Sequence, residues 1–118
     1  MEVFRVWVGK RNFLGEGDYR IVEFIGEYIG VEADVFASGM SGANYHVFLT
    51  ENNRVLIYQH DWSNRLDDES EAALLDFADL DEAANAGYWS ILMNMKLTFR
   101  AAHALDAWRA TQRKLLTY

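Results

Sequence analysis

The chain has 118 residues, with 18 acidic and 11 basic ones, a formal net charge of −7, and neither cysteine nor proline. This length fits one domain, and half of the residues are apolar, enough for a hydrophobic core. The lack of cysteine excludes disulfides, thiolate metal sites and cysteine nucleophiles. The acidic balance argues against direct binding of nucleic acid or of an anionic membrane.

The first part of the chain predicts a strand, a helix and a second strand. Alternating apolar residues predict a buried strand over Glu2–Val8, followed by a loop over Gly9–Gly17. Asp18 is suited to cap a helix, and the apolar spacing after it predicts a helix over Asp18–Ile29. Alternation resumes in Val31–Ala37, which predicts a strand, and Ser38–Asn44 is a predicted flexible connection.

The segment Tyr45–His60 predicts a β-hairpin that turns at Asn52 and Asn53. Asparagine tolerates positive φ at both central positions of a type I′ turn. A two-residue loop would place Val47 opposite Tyr58 and would point His46 and His60 to opposite faces. Both faces of the hairpin are apolar, which predicts a position inside a covered sheet or a contact with another chain.

The last part of the chain predicts two short helices, a strand and a long helix. Capping-box spacing at Asp68–Glu71 and again at Asp79–Glu82 predicts short helices that end at Gly87. Tyr88–Leu97 predicts a strand. Thr98 then caps a predicted helix over Phe99–Leu116, with these residues facing inward: Ala101, Leu105, Trp108 and Leu115.

The predicted fold is therefore a single α+β domain over residues 1–118. Its element order is β-α-β-β-β-α-β-α. A mainly antiparallel sheet of about five strands carries two main helices, over 18–29 and 99–116, packed on one face.

Half of the acidic residues fall within Asp61–Glu82, where nine carboxylates accompany one base, Arg65. This segment carries −8 and the remainder +1, so a field of one sign is concentrated where it can steer a basic partner. Trp62 is a candidate apolar anchor. The candidate partner-binding residues are Asp61, Trp62, Asp67, Asp68, Glu69, Glu71, Asp76 and Asp79. Alternatively, the carboxylates form a solvated helix face with its caps, or hold a cation, although their spacing does not match a calcium loop.

A second candidate site combines the first glycine loop with two histidines. A strand, a glycine loop and a helix can cradle a phosphate, and the loop is basic at its start. However, it matches neither the P-loop nor the dinucleotide-binding fingerprint, and the histidines suit structural roles at strand ends equally well. The candidate ligand-binding residues are Lys10, Arg11, Gly15, Gly17, His46 and His60.

No catalytic, cofactor or metal motif is evident. The leading hypothesis is a non-enzymatic acidic binding or inhibitory protein, comparable to immunity proteins and phage inhibitors, that docks a basic protein partner without cofactor or metal. The alternative is a protein or small enzyme that binds an anionic metabolite or nucleotide through Lys10, Arg11 and the glycine loops. A third hypothesis is a housekeeping homo-oligomer whose surface presents no reactive or ligand-binding groups.

The N-terminus lacks a signal-peptide pattern and the apolar runs are short, which predicts a cytoplasmic protein without a membrane partner.

Overall fold

A computed structural model describes residues 1–35, 39–98 and 102–116, which form six β-strands and three α-helices. In chain order the elements are β1 Glu2–Asn12, β2 Tyr19–Val35, β3 Ser41–Leu49, β4 Val55–Ser63, β5 Glu69–Phe77, α1 Leu80–Ala83, α2 Trp89–Asn94, β6 Lys96–Leu97 and α3 Ala102–Leu116. A kinked turn over Ala84–Tyr88 joins α1 to α2. The α+β class is confirmed. The predicted element order is wrong, because five strands precede the first helix.

The first five strands close into an antiparallel barrel. Each strand pairs with the next from β1 to β5, and β1 also pairs with β5. The short β6 adds to β2 at Gly30 and Val31. The prediction of about five mainly antiparallel strands is thus confirmed, whereas the closure of the sheet into a barrel was not predicted.

Barrel closure depends on a bend in β1 at Gly9, which has φ of 131°. Residues up to Gly9 pair with β2, and Gly9–Asn12 pair with β5. A Cβ atom at Gly9 would collide with the carbonyl oxygen of Asp18, so only glycine allows this approach. The predicted loop over Gly9–Gly17 therefore begins only after Asn12, whose side-chain oxygen accepts the N–H groups of Leu14 and Glu16.

The helix predicted over Asp18–Ile29 is wrong, because these residues form the first half of β2. Inward-facing Val22 and Phe24 alternate with exposed Ile21 and Ile25, which is the period of a strand. β-branched and aromatic residues favour strands, and pairing with β1 and β3 outweighs the helical spacing.

β2 continues past a register shift between Tyr28 and Gly30 into the strand predicted over Val31–Ala37. The described strand ends at Val35, and Phe36, Ala37 and Ser38 lie outside the described residues. The remainder of the predicted connection is also partly strand, because β3 begins at Ser41.

The hairpin predicted over Tyr45–His60 is confirmed as β3 and β4, but its register is off by one residue. Thr50 and Arg54 close a three-residue loop in which only Asn53 has positive φ, 60°. Such a loop replaces the two-residue type I′ turn. Val47 therefore pairs with Ile57, not with Tyr58.

The register shift reverses which residues of β3 and β4 share a face. His46 pairs with Tyr58, so His46, Tyr58 and His60 lie on one face, and the prediction that the two histidines point apart is wrong. Both faces of the hairpin are nevertheless covered within the described part of the chain, because one lines the barrel interior and the other lies under the helices.

Two predictions in the last part of the chain are wrong. The residues Glu69–Phe77 form β5 rather than a helix, because this strand supplies hydrogen bonds to both β4 and β1. The strand predicted over Tyr88–Leu97 is mostly α2, and only Lys96–Leu97 are extended. Strand pairing outweighs local capping in β5, whereas α2 is a helix that buries Leu92 in an apolar cluster.

The second capping box and the last helix are confirmed. The Asp79 carboxylate accepts the Glu82 N–H at 2.8 Å, the Glu82 carboxylate accepts the Ala78 N–H, and the helical segment bends at Gly87, with φ of 110°. The last helix is described over Ala102–Leu116, so its predicted first residues, Phe99–Ala101, lie outside the described residues.

Two apolar clusters lie on the two sides of the barrel wall. The interior cluster takes side chains from all five barrel strands, and its buried members are Phe48, Leu56, Tyr58 and Ala72. The outer cluster lies between β2–β4 and the helices, and its buried members are Ile29, Val47, Val55, Ile57, Ala83, Leu92, Met95 and Leu105. Each fully buried aliphatic side chain contributes about 1.5–3 kcal/mol.

The inward face predicted for the last helix is confirmed in part. Leu105 is fully buried and Trp108 packs against the outer cluster, but Leu115 is 65% exposed, and Ala101 lies outside the described residues. Arg109 is the residue that the apolar pattern missed. Its buried guanidinium donates to the carbonyls of Leu92 at 2.9 Å and Met95 at 2.8 Å, which ties α3 to the end of α2.

Candidate functional site

All nine carboxylates between Asp61 and Glu82 are exposed, but the fold divides them into two groups. β5 runs through the middle of the segment, and its eight residue steps at about 3.3 Å each separate its ends by about 26 Å. Exposed charges are screened over about 8 Å at physiological salt. The acidic segment therefore does not act as one field.

The carboxylates at the far end of β5 have partners within the protein. Asp76 pairs with the Arg54 guanidinium at 2.9 Å, Asp79 caps α1, and Asp81 accepts the Trp108 indole N–H at 3.0 Å. Asp76 and Asp79, both predicted to bind a partner, are thus engaged in the fold.

At the other end, three carboxylates from three strands lie in one row, which we call the carboxylate row: Asp34, Asp61 and Glu71. Asp61 on β4 lies opposite Glu71 on β5, and Ala43 on β3 lies between Asp61 and Asp34 on β2. Directly opposed residues share a face of the sheet, and neighbouring strands are about 4.8 Å apart. Lys10 on β1 lies opposite Glu71 and ends the row.

Two tyrosines, Tyr45 and Tyr88, lie within reach of charges in the row. Burial raises the pKa of Tyr45, and the charges of Asp61 and Asp34 raise it further. Burial also raises the pKa of Tyr88, and Tyr45 and Asp61 add to the effect. The Tyr88 hydroxyl donates to the Gln59 side chain at 3.0 Å, which holds the ring beside the row.

Like charges directly opposed on a sheet are destabilising, by a few tenths of a kcal/mol to about 1 kcal/mol. Among the described residues, no base forms an ion pair with Asp34, Asp61 or Glu71 within 4.0 Å. In the same residues, no three His, Asp or Glu side chains are placed to hold a metal ion. The sequence missed Asp34 because it lies 27 residues before Asp61, although the alternation in Val31–Val35 already placed its side chain on one face of a strand.

The β4–β5 loop and the first residue of β5 carry the remaining predicted carboxylates. Asp68 accepts the Ser63 hydroxyl at 2.9 Å, and Asp67 and Glu69 are exposed beside it. Trp62 is half-buried and lies over Gly42, where an added Cβ would approach the indole ring to 2.8 Å. The ring of the predicted anchor is thus partly used in packing against β3.

A second site lies on the other side of the same strands and brings together residues from both predicted sets. It is a polar pocket of about 210 Å³, which we call the Arg11 pocket, lined by Trp7, Arg11, Asn12, His60, Trp62, Ser63, Asn64 and Ser70. Arg11 lies opposite Ser70 on β5, whereas its neighbour Lys10 lies opposite Glu71 in the carboxylate row. Successive residues of a strand point to opposite faces, so the two sites are separate.

The other predicted ligand-binding residues do not line this pocket. Gly15 and Gly17 belong to the β1–β2 turn, and His46 lies in the barrel interior. The turn joins two strands, so the helix N-terminus that a phosphate cradle requires does not follow it.

Arg11 is held by aromatic rings. Its guanidinium carbon lies 5.0 Å from the ring centroid of Trp7 and 5.3 Å from that of Tyr19, both within cation–π range. No carboxylate among the described residues pairs with it. Arginine stays protonated in proteins, so a fixed positive charge lies in the pocket.

His60 lies edge-on to Trp7, with ring centroids 5.3 Å apart. Burial lowers its pKa, Asp61 raises it and Arg11 lowers it. The lowered pKa favours the neutral imidazole at neutral pH, so His60 adds hydrogen-bonding capacity without a second charge.

The barrel interior continues from His60 to His46 through Tyr58. Their ring centroids are 6.4 Å and 6.2 Å from that of Tyr58, whose hydroxyl donates to the Trp7 carbonyl at 2.6 Å. The Tyr28 hydroxyl and His46 Nδ1 form a hydrogen bond of 2.8 Å. Burial, and secondarily His60, lowers the pKa of His46. These contacts give His46 a structural role.

No protein-family model, curated protein or solved structure matches this chain. No helix within the described ranges is long and apolar enough to cross a membrane. The carboxylate row and the Arg11 pocket are therefore the features on which a function can be proposed.

Proposed function

We propose that this chain is a non-enzymatic binding protein that docks a basic protein partner through the carboxylate row. Asp67 and Asp68 in the adjoining loop, and Glu69 at the start of β5, extend the negative surface. One observation supports the proposal above the others: Asp61 and Glu71 are held opposite each other on paired strands, without an ion pair to any described base. Such docking is inhibitory or immunity-type where the basic surface that the row covers is the partner's own functional site.

The row suits a basic partner because its charges are fixed by strand pairing. The carboxylates stand on a hydrogen-bonded barrel, so little backbone order has to be gained on binding. A partner that places lysine or arginine between Asp61 and Glu71 relieves their repulsion as well as gaining attraction. The long-range field mainly accelerates the encounter of the two proteins, so its effect is measured as a change in the association rate constant.

The experiment compares the wild-type protein with a triple variant, Asp34→Asn, Asp61→Asn and Glu71→Gln. Proteins captured from cells by the wild type are purified, and their binding kinetics with the wild type and with the triple variant are measured at two salt concentrations. We expect the variant to associate at least about tenfold more slowly, since removal of the field removes steering. The dissociation rate should change far less.

A matched control removes three exposed carboxylates elsewhere, through Glu16→Gln, Asp18→Asn and Glu51→Gln. This control has the same net charge as the triple variant and should retain association within about threefold of the wild type. Equal binding by the wild type and the row variant, with rates insensitive to salt, would show that the row is only a solvated surface.

A further inference from the structure

We propose that the Arg11 pocket is a binding site for a small carboxylate on a flat apolar body, such as an aromatic monocarboxylate. The site is independent of the carboxylate row, because Arg11 and Lys10 point to opposite faces of β1. Arg11 anchors the carboxylate, and Trp7 and Trp62 contact the ring.

The positive charge of Arg11 is the first reason. The guanidinium lies against two aromatic rings and forms no ion pair with the described carboxylates, although the protein has a net charge of −7. Arginine presents paired N–H donors that match the two oxygens of a carboxylate. Its aromatic contacts hold the charge in place before a ligand arrives, which lowers the entropic cost of binding.

The size of the pocket selects a small ligand. Its volume of about 210 Å³ equals the space of about seven water molecules at roughly 30 Å³ each. Sites for drug-sized ligands begin at about 300 Å³. A single aromatic ring with one carboxylate is therefore of suitable size to fill it.

The charge balance selects a monoanion rather than a phosphate dianion. Arg11 is the only base that lines the pocket in the described part of the chain. Asp68 accepts the hydroxyl of Ser63, a pocket residue, so a negative charge lies one hydrogen bond away from the lining and disfavours a second negative charge on the ligand.

The remaining polar groups suit a carboxylate that already has one arginine partner. Ser70 accepts the Ser63 N–H through its hydroxyl oxygen at 3.0 Å, so its own hydroxyl proton is available to donate. A neutral His60 can donate one further hydrogen bond. Trp7 and Trp62 supply apolar area beside these donors, which an inorganic anion would leave without contact.

The test follows the indole N–H signals of the four tryptophans by NMR while benzoate or indole-3-acetate is added to the wild-type protein. Trp7 and Trp62 line the pocket, whereas the Trp89 and Trp108 indoles donate elsewhere, to Gln112 and Asp81. We expect saturable shifts of the first two signals below about 10 mM ligand, with the other two unchanged. Benzamide, which has the same ring without the charge, should bind at least about tenfold more weakly.

Two variants with the same charge change separate the pocket from the general surface. Arg11→Met keeps the aliphatic stem and should lower benzoate affinity at least about tenfold. Lys10→Met, one residue away on the other face, should stay within about twofold of the wild type. If Arg11→Met does not fold, Ser70→Ala provides a second pocket variant, for which we expect a loss of threefold or more.

The proposal is overturned if neither acid shifts the Trp7 and Trp62 signals, or if benzoate and benzamide shift them equally. It is also overturned if Arg11→Met and Lys10→Met reduce binding by the same factor. Saturable binding of inorganic phosphate that is tighter than that of benzoate would replace the monocarboxylate class with an oxyanion site. None of these results depends on the basic partner of the carboxylate row.

Discussion

Asp61 on β4 and Glu71 on β5 lie directly opposite each other, with both carboxylates exposed and Asp34 two strands away on the same face. Opposed like charges cost stability, and a binding surface is a physical reason to retain them. If such a residue is kept for binding at a cost in stability, its replacement by an uncharged side chain should raise the free energy of unfolding.

The first prediction follows from this pair. Asp61→Asn should raise the free energy of unfolding by about 0.2–1 kcal/mol, because it removes the repulsion and keeps the side-chain oxygen near Gln59. Urea unfolding at neutral pH and low salt measures the change, which should shrink at 0.5 M salt. Asp79→Asn is the contrasting substitution of a carboxylate that caps α1, and it should not stabilise the protein. A loss of stability in Asp61→Asn would contradict the repulsion.

How far the sequence predicts this site depends on which contacts are local. The Asp79 cap involves residues three positions apart, so spacing alone locates it correctly. The carboxylate row joins residues from three strands, and its register depends on a turn and on a register shift in β2. The loop from Thr50 to Arg54 is one residue longer than the expected turn, and for this reason the two histidines, predicted on opposite faces, share one face.

The barrel itself was missed for a related reason. Residues Asp18–Ile29 satisfy both a helical and a strand period at several positions, and periodicity could not decide between them. The deciding partners are β1 and β3, and the bend at Gly9 that joins β1 to β5 has no signal besides one glycine. Arg11 was singled out as a basic residue within the predicted Gly9–Gly17 loop, but its aromatic neighbours Trp7 and Tyr19 come together only through strand pairing.

The second prediction concerns the contact between α3 and α2. Arg109→Met should lower the free energy of unfolding by roughly 2–4 kcal/mol, because two buried hydrogen bonds to the carbonyls of Leu92 and Met95 are lost. The midpoint of urea unfolding, at an unchanged slope, measures this loss. Arg113→Met on the same helix is the matched control. Arg113 is exposed, so the change should stay within about 0.5 kcal/mol. Equal effects of the two substitutions would show that the buried hydrogen bonds contribute nothing.

The third prediction concerns alkaline pH. Burial raises the pKa of Tyr58 to about 12, while Arg11 lowers it. The unfolded chain releases this proton near pH 10, so the stabilising contribution is present below pH 10 and is lost as the pH rises towards 12. Absorbance of tyrosinate during a pH titration should show several tyrosines that titrate above pH 10, and the latest of these transitions should disappear in Tyr58→Phe. A wild-type protein whose tyrosines all titrate near pH 10 while folded would contradict the assignment.

The fourth prediction concerns mildly acidic pH and the histidines of the barrel interior. Burial lowers the pKa of His46, with a further contribution from His60, and burial and Arg11 lower that of His60 against the opposing charge of Asp61. The folded protein therefore binds fewer protons than the unfolded chain, whose histidines titrate near pH 6.5. Stability should be greatest above pH 6.5 and should fall as the pH drops through the range between the unfolded and the folded pKa values.

Urea unfolding between pH 8 and pH 5 measures this effect for the wild type and for His46→Gln and His60→Gln. Each substitution should flatten part of the decline, since a glutamine does not titrate and the remaining histidine loses its charged neighbour. His103 is left unchanged in every variant, so its contribution is common to all of them. A decline of equal steepness in the wild type and in the variant with both substitutions would assign the acid sensitivity to the carboxylates instead. Relief of that decline by Asp61→Asn alone would locate it in the carboxylate row.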